Sequence, residues 1–110
     1  MKRLALIFSL AVVLNSSALA QQPKGKAEPQ APAGVVYEKD VEFGKGGETA
    51  LHLDIARPEK AEGRLPCIVV IHGGGWRGGH YKVHVPQIFE FAKQGYVSAT
   101  VQYRLVPSGR

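Results

Sequence analysis

Residues 67–76 read CIVVIHGGGW, and this stretch decides the fold. Residues 67–71 are apolar at every position, which is typical of a strand inside a parallel sheet that helices cover on both faces. A histidine, three glycines and a tryptophan follow the strand. The chain therefore leaves the strand through a loop whose backbone can approach a ligand closely. The stretch therefore predicts an α/β fold with a glycine loop at the carboxyl end of a buried strand.

The sequence after the loop predicts a helix and a further strand. Residues 86–94 begin with a proline, which suits a first helical turn, and carry an apolar stripe. Gly95 is expected to cap that helix. Residues 96–103 are rich in Val, Thr and Tyr and predict a strand. Strand, loop, helix and strand together form a βαβ unit, right-handed by default.

The sequence before residue 67 predicts an antiparallel hairpin with one solvated face. Its strands are 35–43 and 49–56, joined by a glycine-rich turn, and Pro58 is expected to end the second strand. Val41 and Phe43 are expected to share a face of the first strand. In the second strand the side chains alternate between apolar and polar. The apolar face holds Leu51, Leu53 and Ile55, and the solvated face holds His52 and Asp54.

Residues 1–20 have the three parts of a secretory signal peptide: basic Lys2 and Arg3, an apolar stretch over 4–14, and the small-x-small ending of residues 18–20. The alternative is a membrane anchor, but the apolar stretch is shorter than the roughly 20 residues that span a bilayer. We therefore expect a secreted or periplasmic protein with no membrane contact after cleavage. Residues 21–34 are expected to be a disordered linker, and residues 35–110 the folded part of the chain.

Composition excludes several classes of protein. The chain has 110 residues and a formal net charge of +5, with basic residues scattered among glutamates, so no basic stripe for nucleic acid is present. The single cysteine, Cys67, excludes an internal disulfide and is expected to be a structural thiol in a buried strand. Removing twenty of the 110 residues leaves 90, which is few for an exported domain without disulfides.

The glycine loop is the candidate functional segment of the chain. Bare amides in residues 73–75 could stabilise an anion, or the negative charge that develops on a carbonyl oxygen during acyl transfer. A flexible turn is the simplest alternative, although Trp76 and Arg77 offer groups that could anchor the loop. A phosphate site of the P-loop type is not supported, since the loop does not end in Gly-Lys-Ser/Thr. His80 and His84 are four residues apart without an intervening glutamate, so we expect hydrogen-bonding or solvated histidines rather than metal ligands.

Residues 70–79, VIHGGGWRGG, resemble the HGGG oxyanion loop of α/β-hydrolase esterases. The group is the hormone-sensitive-lipase-like and acetyl-esterase branch, including bacterial feruloyl and acetyl-xylan-type esterases. Residues 101–105, VQYRL, resemble the end of its next strand, and residues 53–58, LDIARP, its second strand. The resemblance covers about residues 35–107, and it implies that residues 35–110 are the N-terminal portion of an α/β-hydrolase domain. It implies the N-terminal part of an α/β-hydrolase fold, with strand order 1-2-4-3-5 and an incomplete sheet because strand five is absent.

The resemblance also implies roles for residues of the loop. Gly74 and Gly75 match the oxyanion-hole donors, Gly73 supplies the bend, and His72 supports the loop rather than acting as the catalytic base. Trp76 is expected to line the substrate pocket or pack under the loop. The implied reaction is hydrolysis of a small-molecule or polysaccharide-linked carboxylic ester through a serine acyl-enzyme, without a metal or cofactor.

The family's nucleophile motif, Gly-x-Ser-x-Gly, is absent from the chain, as are its acid and base. Ser98 and Ser108 lack the flanking glycines of that motif. The resemblance also places Arg104 at a position of the family that often forms structural ion pairs. We therefore expect an N-terminal fragment of an exported esterase that is inactive alone and self-associates through the open strand 67–71. The alternative is a small non-catalytic exported binding module that uses the glycine loop as a cradle for an anion or a carbonyl group.

Overall fold

A computed structural model describes residues 27–107 of the chain. The predicted signal peptide, residues 21–26 of the predicted linker and Ser108 lie outside the described residues. The elements, in chain order, are β1 (Val35–Gly46), β2 (Thr49–Pro58), β3 (Cys67–Ile71), a 3₁₀ helix (Tyr81–His84), α1 (Val85–Lys93) and β4 (Val97–Val101). Residues 27–34 contain no helix or strand. Between residues 27 and 107, no helix has the length and apolar character needed to cross a membrane.

The four strands form one mixed sheet in the order β1-β2-β4-β3. β2 pairs antiparallel with both β1 and β4, whereas β3 and β4 pair parallel to each other. The parallel pair is linked through the glycine loop, the 3₁₀ helix and α1. The structure thus confirms the hairpin, the βαβ unit and the strand order, with β3 at one edge.

β1 is longer and less regular than predicted. It continues to Gly46, which leaves only Gly47 and Glu48 in the turn. The pairing with β2 shifts register between Glu42 and Gly44, where an irregularity interrupts the alternation of faces. Val41 is half-buried while Phe43 is 50% exposed, so the expectation that they share a face was wrong.

The face of β2 that was predicted to be solvated is the buried one. Asp54 and Ala56 are fully buried, while the alternate residues Leu53 and Ile55 are half-exposed. The reason is that α1 packs on the Ala56 face and builds the hydrophobic core there. That core consists of Ala56, Val85, Ile88, Phe89 and Ala92. The alternation of apolar and polar residues correctly divided β2 into two faces. It assigned the wrong face to the core, because the polar side chain of Asp54 indicated a solvated face.

β3 is open on one face and along one edge. Val70 packs against the core, but Val69 is 54% and Ile71 67% exposed, so the prediction of burial on both faces was wrong. Within residues 27–107 no strand pairs with its outer edge, and α1, the only α-helix there, packs on the other face. Cys67 is likewise exposed rather than a buried structural thiol. An uncharged edge of this kind is a template for pairing with another chain.

α1 ends in a Schellman motif centred on Gly95. The amide of Tyr96 donates to the carbonyl of Phe91 at 3.1 Å, and the amide of Gly95 donates to that of Ala92 at 3.1 Å. Gly95 has φ +96°, and the rings of Phe91 and Tyr96 meet edge to face 6.4 Å apart. The predicted glycine cap is confirmed, and it directs the chain into β4.

Replacing Gly95 with alanine is expected to lower the free energy of unfolding by about 1–2 kcal/mol, because a Cβ disfavours positive φ. Urea denaturation followed by circular dichroism measures the change. Gly44→Ala is the matched control, since Gly44 has no positive φ and its added Cβ would meet nothing within 4 Å. Equal losses for the two variants would show that the cap conformation has no special role.

Candidate active site

The glycine loop folds into a tight turn over residues 74–77. The carbonyl of Gly74 accepts hydrogen bonds from the amides of Arg77 at 3.1 Å and Gly78 at 3.2 Å. Both central residues have positive φ, Gly75 at +60° and Trp76 at +59°, as in a type I′ turn. Gly74 itself has φ +134°. The bend expected at Gly73 therefore lies one to three residues later, and Trp76 takes part in it.

Positions 74 and 79 require glycine, because a side chain there would collide with the backbone of the loop itself. A Cβ on Gly74 would lie 2.1 Å from the carbonyl oxygen of Gly78. A Cβ on Gly79 would lie 2.2 Å from the carbonyl oxygen of Gly73 and 2.5 Å from Nδ1 of His72. The outgoing and returning halves of the loop are thus pressed together, so the flexible-turn alternative does not describe this loop.

His72 and Tyr103 hold the start of the loop on the sheet. The His72 side chain is buried, and its Nδ1 lies 2.9 Å from the carbonyl oxygen of Gly73. Its ring stacks on that of Tyr103 with centroids 4.3 Å apart, and the Tyr103 hydroxyl donates to the His72 carbonyl at 2.8 Å. In this arrangement His72 contacts the loop and the sheet, as expected of a supporting residue.

A cavity of about 650 Å³ opens beside the loop, lined by residues 71–76 together with Tyr103 and Arg104. Trp76 lines it with 70% of its surface exposed, so it does not pack under the loop. The amides of Gly74 and Gly75 donate no hydrogen bond to any residue between 27 and 107. Two uncommitted N–H donors therefore lie at the wall of a cavity large enough for a small organic molecule.

Arg104 differs from expectation, since it forms no ion pair with any residue in the part of the chain that the structure describes. Its side chain instead crosses the β1–β2 turn, where a Cβ on Gly46 would lie 3.2 Å from the Arg104 Cβ. Arg104 as a whole is exposed, and it is also one of the residues that line the cavity.

The other candidate reactive residues, Ser98, Cys67 and His80, do not line this cavity. Ser98 is fully buried, and its hydroxyl donates to the carbonyl of Ile88 at 2.6 Å. Cys67 begins β3, at the opposite end of the strand from the glycine loop. His80 caps the 3₁₀ helix by accepting from the amide of Lys82 at 3.2 Å. Among residues 27–107 no three His, Cys, Asp or Glu side chains are grouped as metal ligands would be.

Sequence reasoning missed a polar cluster that joins the hairpin to the 3₁₀ helix. The fully buried Asp54 accepts from the Tyr37 hydroxyl at 2.6 Å and from the Asp40 amide at 2.8 Å. The Asp40 carboxylate in turn accepts from the Tyr81 hydroxyl at 2.6 Å and lies 2.7 Å from Nζ of Lys82. An aspartate that alternates with apolar residues predicts a solvated side chain, and its partners lie 14 or more residues away, so the sequence carried no local signal.

These contacts shift the pKa values of Tyr37, Asp40 and Tyr81. Hydrogen bonds from Lys82 and then Tyr81 hold the pKa of the Asp40 carboxyl below its usual value. Burial raises the pKa of Tyr37 and of Tyr81, and the neighbouring aspartates raise them further. The tyrosines are therefore neutral donors at physiological pH, and Asp40 is a charged acceptor.

Solved structures of esterases superpose on the fold of this chain. A bacterial heroin esterase superposes with a TM-score of 0.58 and 30% identity, over 68% of this chain and 24% of that one. Esterase B from Lactobacillus rhamnosis superposes with a TM-score of 0.58 and 27% identity, over 74% of this chain and 26% of that one. Esterase 2 of Thermogutta terrifontis gives 0.56 and 29%, over 66% and 26%. The chain thus has an incomplete α/β-hydrolase fold, about a quarter of each of these proteins.

The sequence relatives of the chain are also named esterases. Gut esterase 1 of Caenorhabditis elegans is 48% identical over 61 residues, and that of Caenorhabditis briggsae is 36% identical over 61 residues. These matches span 54% of this chain but only 11% of either relative. The BD-FAE family model matches residues 53–109, just over half of the chain, including the glycine loop, α1 and β4. The chain therefore belongs to the BD-FAE family.

Proposed function

We propose that the protein hydrolyses carboxylic esters through a serine acyl-enzyme, and that this chain supplies the oxyanion-binding loop. The observation that carries the proposal is the pair of uncommitted amides, Gly74 and Gly75, at the wall of the cavity. The similar structures and the sequence relatives are also named esterases.

In the proposed reaction a serine hydroxyl attacks the ester carbonyl while a histidine takes its proton. The carbonyl oxygen gains negative charge, which N–H groups aimed at it stabilise. Gly74 and Gly75 would be donors for that oxygen, and losing one such donor typically costs about 2.7–4 kcal/mol of transition-state stabilisation. Collapse of the intermediate releases the alcohol, and water then releases the acid.

We propose that the described residues do not supply the nucleophile. Ser98 is the only serine among residues 27–107, and it is buried with its hydroxyl bonded to Ile88. No side chain at the cavity wall is a serine or a cysteine. We therefore infer that the nucleophilic serine lies outside residues 27–107, and the family resemblance implies the same for the acid and the base.

The substrate is proposed to be an ester of a small molecule or of a polysaccharide. The cavity wall is formed largely by apolar and aromatic groups, including Ile71, Trp76 and Tyr103. Such a wall suits an apolar acyl or alcohol group, with the loop amides fixing the carbonyl. No metal or cofactor enters the proposed reaction.

Labelling with paraoxon tests the proposal, because the organophosphate forms a stable covalent adduct with the activated serine of a serine esterase. The complete protein that contains residues 1–110 is treated, digested and analysed by mass spectrometry. We expect one modified serine, within a Gly-x-Ser-x-Gly sequence and outside residues 27–107. Absence of any adduct, or an adduct on Ser98, would contradict the proposal; absence would favour the non-catalytic binding module.

We also propose that the protein is exported, to the periplasm or the medium, after cleavage behind Ala20. The order of basic, apolar and small-residue segments in residues 1–20 supports this. Expression in an exporting bacterial host is expected to yield a mature protein that begins at Gln21, and intact-mass measurement checks it. Recovery of only the form that retains Met1 and residues 2–20 would contradict export by this route.

A further inference from the structure

We propose that Asp40 is a positioning residue for the glycine loop: it holds Tyr81, and through Tyr81 the returning half of the loop. The inference rests on the proposed function only in giving the loop its oxyanion role. Asp40 itself lies outside the cavity and outside the group of residues that line it.

Asp40 has an unusual backbone conformation that is built into β1. Its φ is +54°, in the left-handed region that aspartate tolerates better than most residues. It lies in the register shift between Glu38 and Val41, where the strand bulges. The amide of Asp40 donates to the fully buried carboxylate of Asp54 at 2.8 Å, and this bond fixes the bulge on β2.

The bulge aims the Asp40 carboxylate at the 3₁₀ helix. Its Oδ1 accepts from the Tyr81 hydroxyl at 2.6 Å and lies 2.7 Å from Nζ of Lys82. The Tyr81 carbonyl is fixed separately, because the buried hydroxyl of Thr100 on β4 donates to it at 2.7 Å. Tyr81 is therefore held at its ring end by β1 and at its backbone by β4.

Tyr81 follows the loop by only two residues. Gly79 packs on the carbonyl of Gly73 and the ring of His72, and Gly78 packs on Gly74. Because two residues span at most about 7 Å, the position of Tyr81 constrains that of Gly79. A bond on the far strand of the hairpin thus sets how tightly the two halves of the loop are pressed together.

Hydrogen exchange of individual amides, followed by NMR on the complete protein that contains residues 1–110, tests the inference without using activity. The reporters are the amides of Arg77 and Gly78, which bond to Gly74, and the reference is Ala99 in the central strand β4. Asp40→Gly removes the carboxylate but suits the positive φ, and Tyr81→Phe removes only the hydroxyl. Each is expected to speed exchange of the two reporters about tenfold, as expected for loss of a charge-assisted hydrogen bond, and more than it speeds that of Ala99.

Asp40→Asn is the rescue variant, since asparagine tolerates positive φ and keeps an acceptor for Tyr81, and it is expected to lie closer to the wild type. Glu42→Gln, an exposed change on the same strand, is the control and is expected to leave the reporters unchanged. Equal acceleration at the reporters and at Ala99 would show a merely global loss of stability and overturn the inference. Unchanged reporters in both Asp40→Gly and Tyr81→Phe would overturn it as well. Neither result bears on paraoxon labelling, so failure of the inference is distinguishable from failure of the proposed function.

Discussion

Gly74→Ala is expected to destroy the turn over residues 74–77. The new Cβ would lie 2.1 Å from the Gly78 carbonyl oxygen, and the φ of +134° is one that residues with a side chain rarely adopt. The loop must open to admit the methyl group, which removes the bonds from Arg77 and Gly78 to the Gly74 carbonyl. We expect a loss of about 2–4 kcal/mol in the free energy of unfolding, or faster exchange of those two amides where the loop opens without unfolding the sheet.

The matched control lies one residue earlier. A Cβ on Gly73 would meet nothing within 4 Å, and Gly73 has no positive φ. Gly73→Ala is therefore expected to change the free energy of unfolding by less than about 1 kcal/mol, as urea denaturation would show. If Gly73→Ala and Gly74→Ala were equally harmful, or equally harmless, the steric account of the loop would be wrong.

Residues 21–110 alone are expected to self-associate through β3, and Val69→Lys is expected to weaken that association about tenfold or more. Val69 is 54% exposed on the open face of β3, whose outer edge pairs with no strand of residues 27–107, and the run 68–71 is apolar and β-branched. A lysine there would place charge against charge between paired copies, which is a common protection of natural edge strands. Sedimentation velocity over a concentration series measures the change.

Val83→Lys is the matched control for this prediction, because Val83 is 65% exposed but lies in the 3₁₀ helix, away from the sheet edge. It is expected to leave the association unchanged. A wild-type chain that remains monomeric at all concentrations and unfolds in one sharp transition would contradict the prediction. That outcome would favour the self-contained binding module over a part of a larger domain.

Elements with strong local signals were predictable from the sequence. Residues 67–71 form β3 as predicted, Gly95 caps α1, and the hairpin, the βαβ unit and the strand order are confirmed. These features depend on composition and spacing within a few residues, together with the family resemblance for the order of strands. The glycine loop was located for the same reason, since consecutive glycines directly after an apolar run strongly favour a loop at the end of a strand.

Features that depend on distant partners were not predictable. The burial of Asp54 depends on Tyr37 and on the Asp40 amide, and the exposure of Val69 and Cys67 depends on what packs beside β3. An apolar strand indicates what a complete sheet would bury, not what the described residues bury. The positive φ of Trp76 was not predictable either, because aromatic residues rarely adopt it.

The central claim is that the glycine loop stabilises the oxyanion of ester hydrolysis while the nucleophile lies outside residues 27–107. Initial rates with p-nitrophenyl acetate test it most directly, measured for the complete protein, its Gly74→Ala variant and residues 21–110 alone. The account predicts turnover by the complete protein, a kcat lowered about 10²–10³-fold by Gly74→Ala, and no turnover above a matched blank by residues 21–110. Turnover by residues 21–110 that Gly74→Ala abolishes would contradict it, as would a complete protein whose kcat does not respond to Gly74→Ala.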